Sequence, residues 1–489
     1  GVPFALDDAT MLAGFGWGYR DRLNMQAFEA LAGIVLAAGK GTRMKSDLPK
    51  CLHAVCGIPM AEHMGRAMKQ IGIAKPVLVI GHGGELLQGS LPEGEYEFVW
   101  QREQLGTAHA AIMAQPVLAD YDGPVLITPG DVPLVTAEAL HALVSKHLAT
   151  GAKATIGTCR LTDPTGYGRI VRDGDGMVTK IVEHKDATDS QLEIDEINSA
   201  IYCFDAKTVF EILPTLSAEN AQGEYYLPDA IEKIVQAGGR VETFIYEDFF
   251  VFQGVNDPWQ LAEASTEMRR RILKRHCLNG VQVIDPATTF IAADVQIEAG
   301  TVIHPMTTIE GDSRIGASCH IGPLSVVVSS QVGDGSTVLM SHINRAQVGE
   351  DCRIGPYAHL RPKALLGDKV KVGNFVEIKN ALLEDGVSAG HLAYLGDAKI
   401  GAHSNIGAGT ITCNYDGVHK HLTQVGANVF VGSNSTLVAP LEIGEGAYVA
   451  AGSVITSPVA SDALALGRAR QVEKPQWASR RRKKLEQGQ

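Results

Sequence analysis

The chain has 489 residues and a formal net charge of −12. With 45% hydrophobic and 20% charged residues it has ample apolar surface to bury, which excludes a wholly disordered chain. An acidic chain is a poor partner for nucleic acid, which needs basic surface to neutralise phosphates, and no apolar run approaches the ~20 residues of a membrane-spanning helix.

At roughly 150 residues per domain the length predicts two to four domains. The 53 glycines exceed the ~7% of average usage, so part of the chain must turn tightly and often. The eight cysteines include no C-x-x-C pair, which argues against a zinc or thioredoxin-like site. Reduced thiols in a cytoplasmic setting are the expectation.

In chain order, residues 1–29 read as an extension, non-native or disordered, because they lack the basic and apolar regions of a signal peptide. Met25 is a plausible natural start. Residues 30–255 alternate strand and helix signals. Gly33–Leu36, Pro76–Ile80 and Pro124–Thr128 read as buried strands, and Pro59–Ile71 as a helix. This rhythm predicts a Rossmann-like α/β domain with a mostly parallel sheet, whose ligands bind beyond the strands' carboxyl ends. Residues 256–280 read as a linker helix, with Asp257 as N-cap, Pro258 at the first position, a stripe of Leu261, Met268 and Ile272, and Gly280 closing it.

From 281 to 460 branched aliphatics recur every six residues: Ile291, Ile297, Ile303, Ile309, Ile315, Ile321, Val327; then Val348, Ile354, Leu360, Leu366, Val372, Ile378; then Val425, Val431, Leu437, Ile443, Val449, Ile455. A period of six is that of a hexapeptide parallel β-helix, in which each hexad forms one side of a triangular coil. The repeat breaks at about 379–399 and 410–424, and both breaks are expected to be loops pushed out of the solenoid. They carry Lys379, His391, Tyr394, Asn414, Tyr415 and Asp416. Residues 461–489 form a tail with the basic run Arg480–Lys484, which is either a solvated end or a phosphate-binding one.

Two motifs of the first half carry chemistry. Leu36–Met44 is a Gly-rich loop after the first strand, flanked by Arg43 and Lys50. Such a loop either cradles phosphate or is only a turn. It fits neither the P-loop, since Lys40 lies between Gly39 and Gly41, nor G-x-G-x-x-G, since Met44 stands where the third glycine belongs. Asp131, after the third strand, is placed to hold Mg²⁺ or simply to form a turn.

The segments LAAGKGTRM (Leu36–Met44), LPK (Leu48–Lys50) and GDVPL (Gly130–Leu134) resemble the sugar-1-phosphate nucleotidyltransferases. More narrowly, PTGYGRI, IVEHKDAT, EIN and NAQGEYYLPD resemble the bacterial bifunctional N-acetylglucosamine-1-phosphate uridylyltransferase/glucosamine-1-phosphate acetyltransferases. SAGHLAYLGDAKIG (Ser388–Gly401) and NIGAGTITCNYDG (Asn405–Gly417) resemble their acetyltransferase half. The resemblance covers about residues 30–475.

It implies that Leu36, Ala37, Ala38 and Gly39 line the nucleotide, with Arg43 and Lys50 catalytic on its phosphates. Gln101, Gly106 and Thr107 would read the uracil, Gly168, Glu183 and Asn198 the sugar, and Asp131 with Asn256 would hold Mg²⁺. In the second half it implies His391 as general base, Arg361, Lys379, Tyr394 and Asn405 on the amino sugar phosphate, and Ala408, Asn414, Tyr415, Ser433, Ala451 and Arg468 on acetyl-CoA. A near-neutral imidazole suits removal of an amine proton. The implied substrates are UTP, N-acetylglucosamine 1-phosphate, glucosamine 1-phosphate and acetyl-CoA. The implied solenoid is a left-handed β-helix and the implied assembly a homotrimer, in the cytoplasm, serving cell-wall and lipopolysaccharide synthesis. Three positions depart from the family pattern: Pro129 stands where an aromatic is common, and Ala200 and Lys363 where glycine is common.

Overall fold

The computed structural model describes Phe28 and residues 30–488. The remainder of the expected extension, including Met25, lies outside the described residues. The chain divides into two compact units near residue 267.

The first unit is built on one sheet. Along it run Val241–Ile245, Ala154–Arg160, Glu196–Asp205, Pro124–Pro129, Ala32–Ala37, Val77–Ile80 and Glu97–Trp100. All pairings along this path are parallel except those of Glu196–Asp205, which runs antiparallel to both neighbours. The three strands expected from their apolar runs are present, and the expected helix runs Met60–Gln70. Alternate residues of the central strand serve opposite layers. Val35 and Ala37 pack with the helices Met60–Gln70 and Ala137–Thr150, and Ile34 packs with Thr107–Met113, Ala206–Ile212 and Asp229–Gln236. A sheet covered on both faces explains the near-continuous apolar strands. From Ala32–Ala37 the chain proceeds to one side through two strands, then crosses to Pro124–Pro129 on the other. That reversal opens a crevice beyond the carboxyl ends of these two strands.

The helix Pro258–Leu278 follows, capped by the Asp257 carboxylate accepting from Gln260 N at 2.9 Å. At its end Gly280 adopts φ +91°, and Val281 N donates to His276 O.

The second unit is a three-sided parallel β-helix. The hexad aliphatics of all three runs are buried, with Ile303, Ile309, Ile321 and Val327 among those fully inaccessible. Ile291 pairs with Ile309, Ile297 with Ile315 and Ile303 with Ile321, so each eighteen-residue coil stacks on the next. Small hydroxyls such as Thr301, Ser336 and Ser404 sit buried at the corners and bond backbone carbonyls.

One expectation is corrected here. Residues 379–399 are not an extruded loop: they form the strands Glu377–Leu383, Ser388–His391 and Tyr394–Ile400, in parallel register with the coils on either side. The inward positions continue as Ile378, Leu383, Ala389, Leu395, Ile400 and Ile406, all buried. The steps Ile378 to Leu383 and Leu395 to Ile400 are five residues, because a corner loses one residue there. A strict period of six loses its frame at such a corner although the solenoid does not. The second break does leave the coil. Ile400 pairs with Val425 and Ile406 with Val431, twenty-five residues on, and the excess is an excursion around Asn414–Leu422.

Candidate functional site

In the first unit the crevice gathers the predicted charges. Lys50, on the short helical turn Lys50–Leu52, donates from Nζ to Asp131 Oδ2 and to Asn256 Oδ1, the latter at 2.9 Å. Arg43 donates to the same Asn256 oxygen at 2.8 Å. Val255 N bonds Asp131 O, which ties the loop after Pro124–Pro129 to the segment before the linker helix. Gly41, at φ +59°, must be glycine for space as well as conformation, since a Cβ there would lie 2.6 Å from Lys50 Cβ. Beneath them the Cys51 thiol is pushed up to about 12 by burial and by Asp131, so it is an inert neighbour.

Two hard oxygens, a carboxylate and an amide carbonyl, thus converge on one cation. That donor set fits Mg²⁺, which takes one or two protein oxygens and completes its shell with water and substrate phosphate. Among the described residues no cluster of three or more His, Cys, Asp or Glu could hold a metal without such help.

The loop Leu36–Gly39 leaves the central strand at the crevice, and Leu36 O accepts from Gly130 N at 2.9 Å. Gln101 is buried, and its amide nitrogen is already committed to Gly106 O at 3.1 Å and His109 Nδ1 at 2.9 Å. Of the donor and acceptor expected to match a uracil edge, only the carbonyl oxygen is left to act, as acceptor for the ring N–H. Gly106, at φ +115°, lies against the Tyr225 backbone, and Thr107 Oγ1 accepts from Leu227 N. Thr107 therefore anchors the segment around Tyr225–Leu227.

The predicted sugar residues also meet. Asn198 N donates to Gly168 O at 2.9 Å, and Gly168 faces Glu183. Burial raises the Glu183 carboxyl, and Asp229 and Asp186 push it further; Asp229 itself is raised to about 6 by burial, Glu232 and Asp186. Hydroxyl-rich ligands suit such carboxylates as hydrogen-bonding partners. Asn198 is fixed by donating to Tyr202 Oη and accepting from Ala200 N.

In the second unit one corner and one face carry the predicted residues. Ala389, Ile406, Val431 and Val449 pair in succession on four neighbouring coils. Two residues beyond each stand His391, Ala408, Ser433 and Ala451, so the proposed base and three proposed acetyl-CoA residues form one column. With coils ~4.8 Å apart, the column spans about 14 Å. Arg468 lies outside it, beyond the last paired strand, Leu464–Ala465.

Tyr394 opens the face that follows this corner, and Arg361 and Lys379 lie at its far edge, where Arg361 N bonds Ile378 O. Arg361 pairs with Glu377 at 2.8 Å. Asn405 is on the preceding face, paired with Ser388, so the fold does not place it beside Lys379. Asn414 donates to Asp397, which also accepts from Asn380.

The excursion is stiffened by Asp416, whose carboxylate accepts from Val418 N, His419 N and His421 Nε2 and is held far below the usual range, chiefly by the His419 N–H. It brings Lys420 to Lys379. Their mutual hydrogen bond, then burial, lowers the Lys379 ammonium, and Arg361 and Asp397 add to the field. Three cations facing one another suit a phosphomonoester dianion. Lys420, Asp397 and Asn380 are missed by sequence reasoning. Lys420 lies next to the NYDG motif and could have been found there; the other two become neighbours only through coil stacking.

Comparison with known proteins agrees with this division of labour. The family model described as "Nucleotidyl transferase" matches residues 32–260, and "Bacterial transferase hexapeptide (six repeats)" matches 345–380 and 422–457. The chain is 48% identical to "Bifunctional protein GlmU" of Geobacillus sp. (strain WCH70) over 91% of this chain and 97% of the relative. It is likewise 48% identical to the protein of that name from Geobacillus thermodenitrificans (strain NG80-2), over 92% of this chain and 98% of the relative. The same identity holds for that of Listeria monocytogenes serotype 4b (strain CLIP80459), over 91% and 97%. The fold class expected from the sequence stands: an α/β nucleotidyltransferase unit followed by a hexapeptide-repeat left-handed β-helix.

Proposed function

The chain belongs to the GlmU family of bifunctional proteins, and on that premise we propose the residues and conditions of its two reactions. It is a bifunctional acetyltransferase and uridylyltransferase of UDP-N-acetylglucosamine synthesis. The β-helix acetylates glucosamine 1-phosphate with acetyl-CoA. The α/β unit transfers UMP from UTP to the N-acetylglucosamine 1-phosphate so formed, releasing pyrophosphate. The observation that carries the assignment of residues is the presence of two separate constellations, one per unit: Lys50, Arg43, Asp131 and Asn256 at the sheet's crossover crevice, and the His391 column beside Lys379 and Arg361.

In uridylyl transfer a phosphate oxygen of the sugar attacks the α-phosphorus of UTP in line, and the bond to the leaving pyrophosphate breaks. Charge grows on the transferred group, and Lys50 and Arg43 are the cations placed to neutralise it. Asp131 and Asn256 would hold Mg²⁺, whose chemistry here is charge neutralisation on the phosphates. Gln101 accepts from the uracil, and Glu183, Asn198 and Gly168 hold the sugar.

In acetyl transfer the amine nitrogen attacks the thioester carbonyl, His391 takes the amine proton, and CoA leaves as the thiolate. Arg361, Lys379 and Lys420 hold the sugar phosphate. Tyr394 and Asn405 orient the amine. The small residues Ala408, Ser433 and Ala451 leave room for the pantetheine arm to run along the column towards Arg468 and the basic tail, with Asn414 and Tyr415 at its side.

We place the enzyme in the cytoplasm as a homotrimer. Support for assembly comes from the next column of the same corner. Met306, Leu324, Met340, Tyr357, Phe375 and Leu392 stand one per coil, all at positive φ. Tyr357, Phe375 and Leu392 are 56%, 58% and 61% exposed. Bulky residues in the left-handed region cost about 1–2 kcal/mol each, and exposed together they need a cover. In the following coils the column changes to Gly409, Asn434 and Gly452, where CoA would lie instead of protein.

The test is separation of the activities. His391→Ala should lower acetyl transfer by ~10²–10⁴-fold and spare uridylyl transfer. Asp131→Ala should do the reverse. A His391→Ala enzyme with full acetyl transfer would overturn the assignment of the base.

A further inference from the structure

His391 ends the strand Ser388–His391, and Asn374 ends the strand Lys371–Asn374 on the preceding coil. The two are register partners. His391 Nδ1 lies 2.9 Å from Asn374 Oδ1, and Leu392 N donates to Asn374 O at 3.0 Å, so backbone and side chain both tie the histidine to this residue. The strands close tightly because Gly373 has no side chain: a Cβ there would lie 1.8 Å from Gly390 O.

A carboxamide oxygen can only accept, so the nitrogen facing it must carry hydrogen. The neutral imidazole then holds its lone pair on Nε2 and can take a proton only there. We propose that Asn374 is the positioning residue of the acetyl transfer: its carboxamide fixes the tautomer and ring orientation of His391, leaving Nε2 as the basic atom. The inference rests on the reading of His391 as the base. An uncharged partner does this without the charge of a carboxylate, so it orients the imidazole while leaving it free to give up the proton after each turnover.

No bond to substrate is required of Asn374, so its removal should act on turnover and not on binding. Asn374→Leu, similar in size but without an acceptor, should lower kcat for acetyl transfer by about 10–10²-fold, within the range a general base supplies. KM for glucosamine 1-phosphate and acetyl-CoA should stay within about twofold. Asn374→Asp keeps an acceptor at the same place and should restore most of the rate. Uridylyl transfer by the same preparations reports the integrity of the protein, and Asn374→Ala guards against a packing artefact of leucine. Wild-type kcat in both Asn374→Leu and Asn374→Ala would overturn the proposal, as would equal losses in Asn374→Asp and Asn374→Leu. His391→Ala run alongside separates the two readings. If it keeps full acetyl transfer, the base is misassigned; if it is inactive while Asn374→Leu is not, only the positioning role falls.

Discussion

Lys50 occupies the place between Asp131 and Asn256 where a divalent cation would sit. Metal and ammonium therefore compete for the same two oxygens, and a nucleotide that draws Lys50 onto its phosphates frees them. Substituting Lys50→Met removes the competitor while keeping the aliphatic stem. The Lys50 and Asp131 side chains are 13% and 19% exposed, so the pair is only weakly screened. A hydrogen bond to a charged group contributes about 1.5–3 kcal/mol, and each ~1.4 kcal/mol is tenfold in affinity. Metal binding without nucleotide should thus tighten by about 10- to 100-fold in Lys50→Met. Mn²⁺ titration followed by electron paramagnetic resonance reads free metal directly, with no turnover required. In the wild type UTP should enhance Mn²⁺ binding; in Lys50→Met that enhancement should shrink, because the ammonium no longer has to be displaced. Unchanged Mn²⁺ affinity in the variant would refute the reasoning, and Asp131→Ala should abolish the site in either background.

Three further outcomes are expected. Replacing Tyr357 and Phe375 together by Ser removes two large, half-exposed side chains from the corner ridge, which at ~25 cal/mol per Å² should cost about 2–3 kcal/mol of association per protomer; sedimentation equilibrium should show weakened assembly, and an unchanged trimer would exclude the ridge as the interface. His276 is buried with Nε2 unpartnered, and burial, then Arg275, lowers it to about 4. The unfolded chain takes this proton at about pH 6.5 and the folded one does not, so stability falls as pH drops from 6.5 towards 4, by on the order of 3 kcal/mol for a shift of about 2.5 units. His276→Leu should flatten that part of the melting-temperature profile, and an unaltered profile would contradict the buried neutral imidazole. Truncation after Ala478 removes Arg480–Lys484, all exposed on the helix Trp477–Glu486; the acetyl-CoA KM should rise, and no change would remove the tail from CoA binding.

The hexads were legible because each inward aliphatic is fully buried, and burial tolerates few substitutes. The frame slips were not, because a five-residue corner keeps the side chain inside while breaking the count, as at Leu383 and Ile400. That is why Lys379, His391 and Tyr394 read as loop residues when they are strand residues. Neighbours that meet by stacking, such as Asn374 with His391 or Asp397 with Asn414, are seventeen residues apart and share no local motif. The apolar ridge runs against propensity, since Leu, Phe and Tyr at positive φ are not what a turn suggests. Two of the departures from the family pattern acquire a physical meaning. Ala200 adopts φ +62° at the irregularity in Glu196–Asp205, and Lys363 adopts φ +67°, so both are side chains placed where the backbone favours glycine. Nothing in the structure explains Pro129. In the crevice, Lys50 and Arg43 followed from the Gly-rich loop, whereas Asn256 came from resemblance alone, because it reaches the site from the far end of the unit.

The most direct measurement supplies the purified protein with glucosamine 1-phosphate, acetyl-CoA, UTP and Mg²⁺ and follows CoA thiol and pyrophosphate together, then omits UTP or acetyl-CoA in turn. Two reactions in series predict thiol release without UTP, and pyrophosphate only when acetyl-CoA is present. Pyrophosphate release with no thiol release would contradict the account and leave a uridylyltransferase carrying an inactive solenoid.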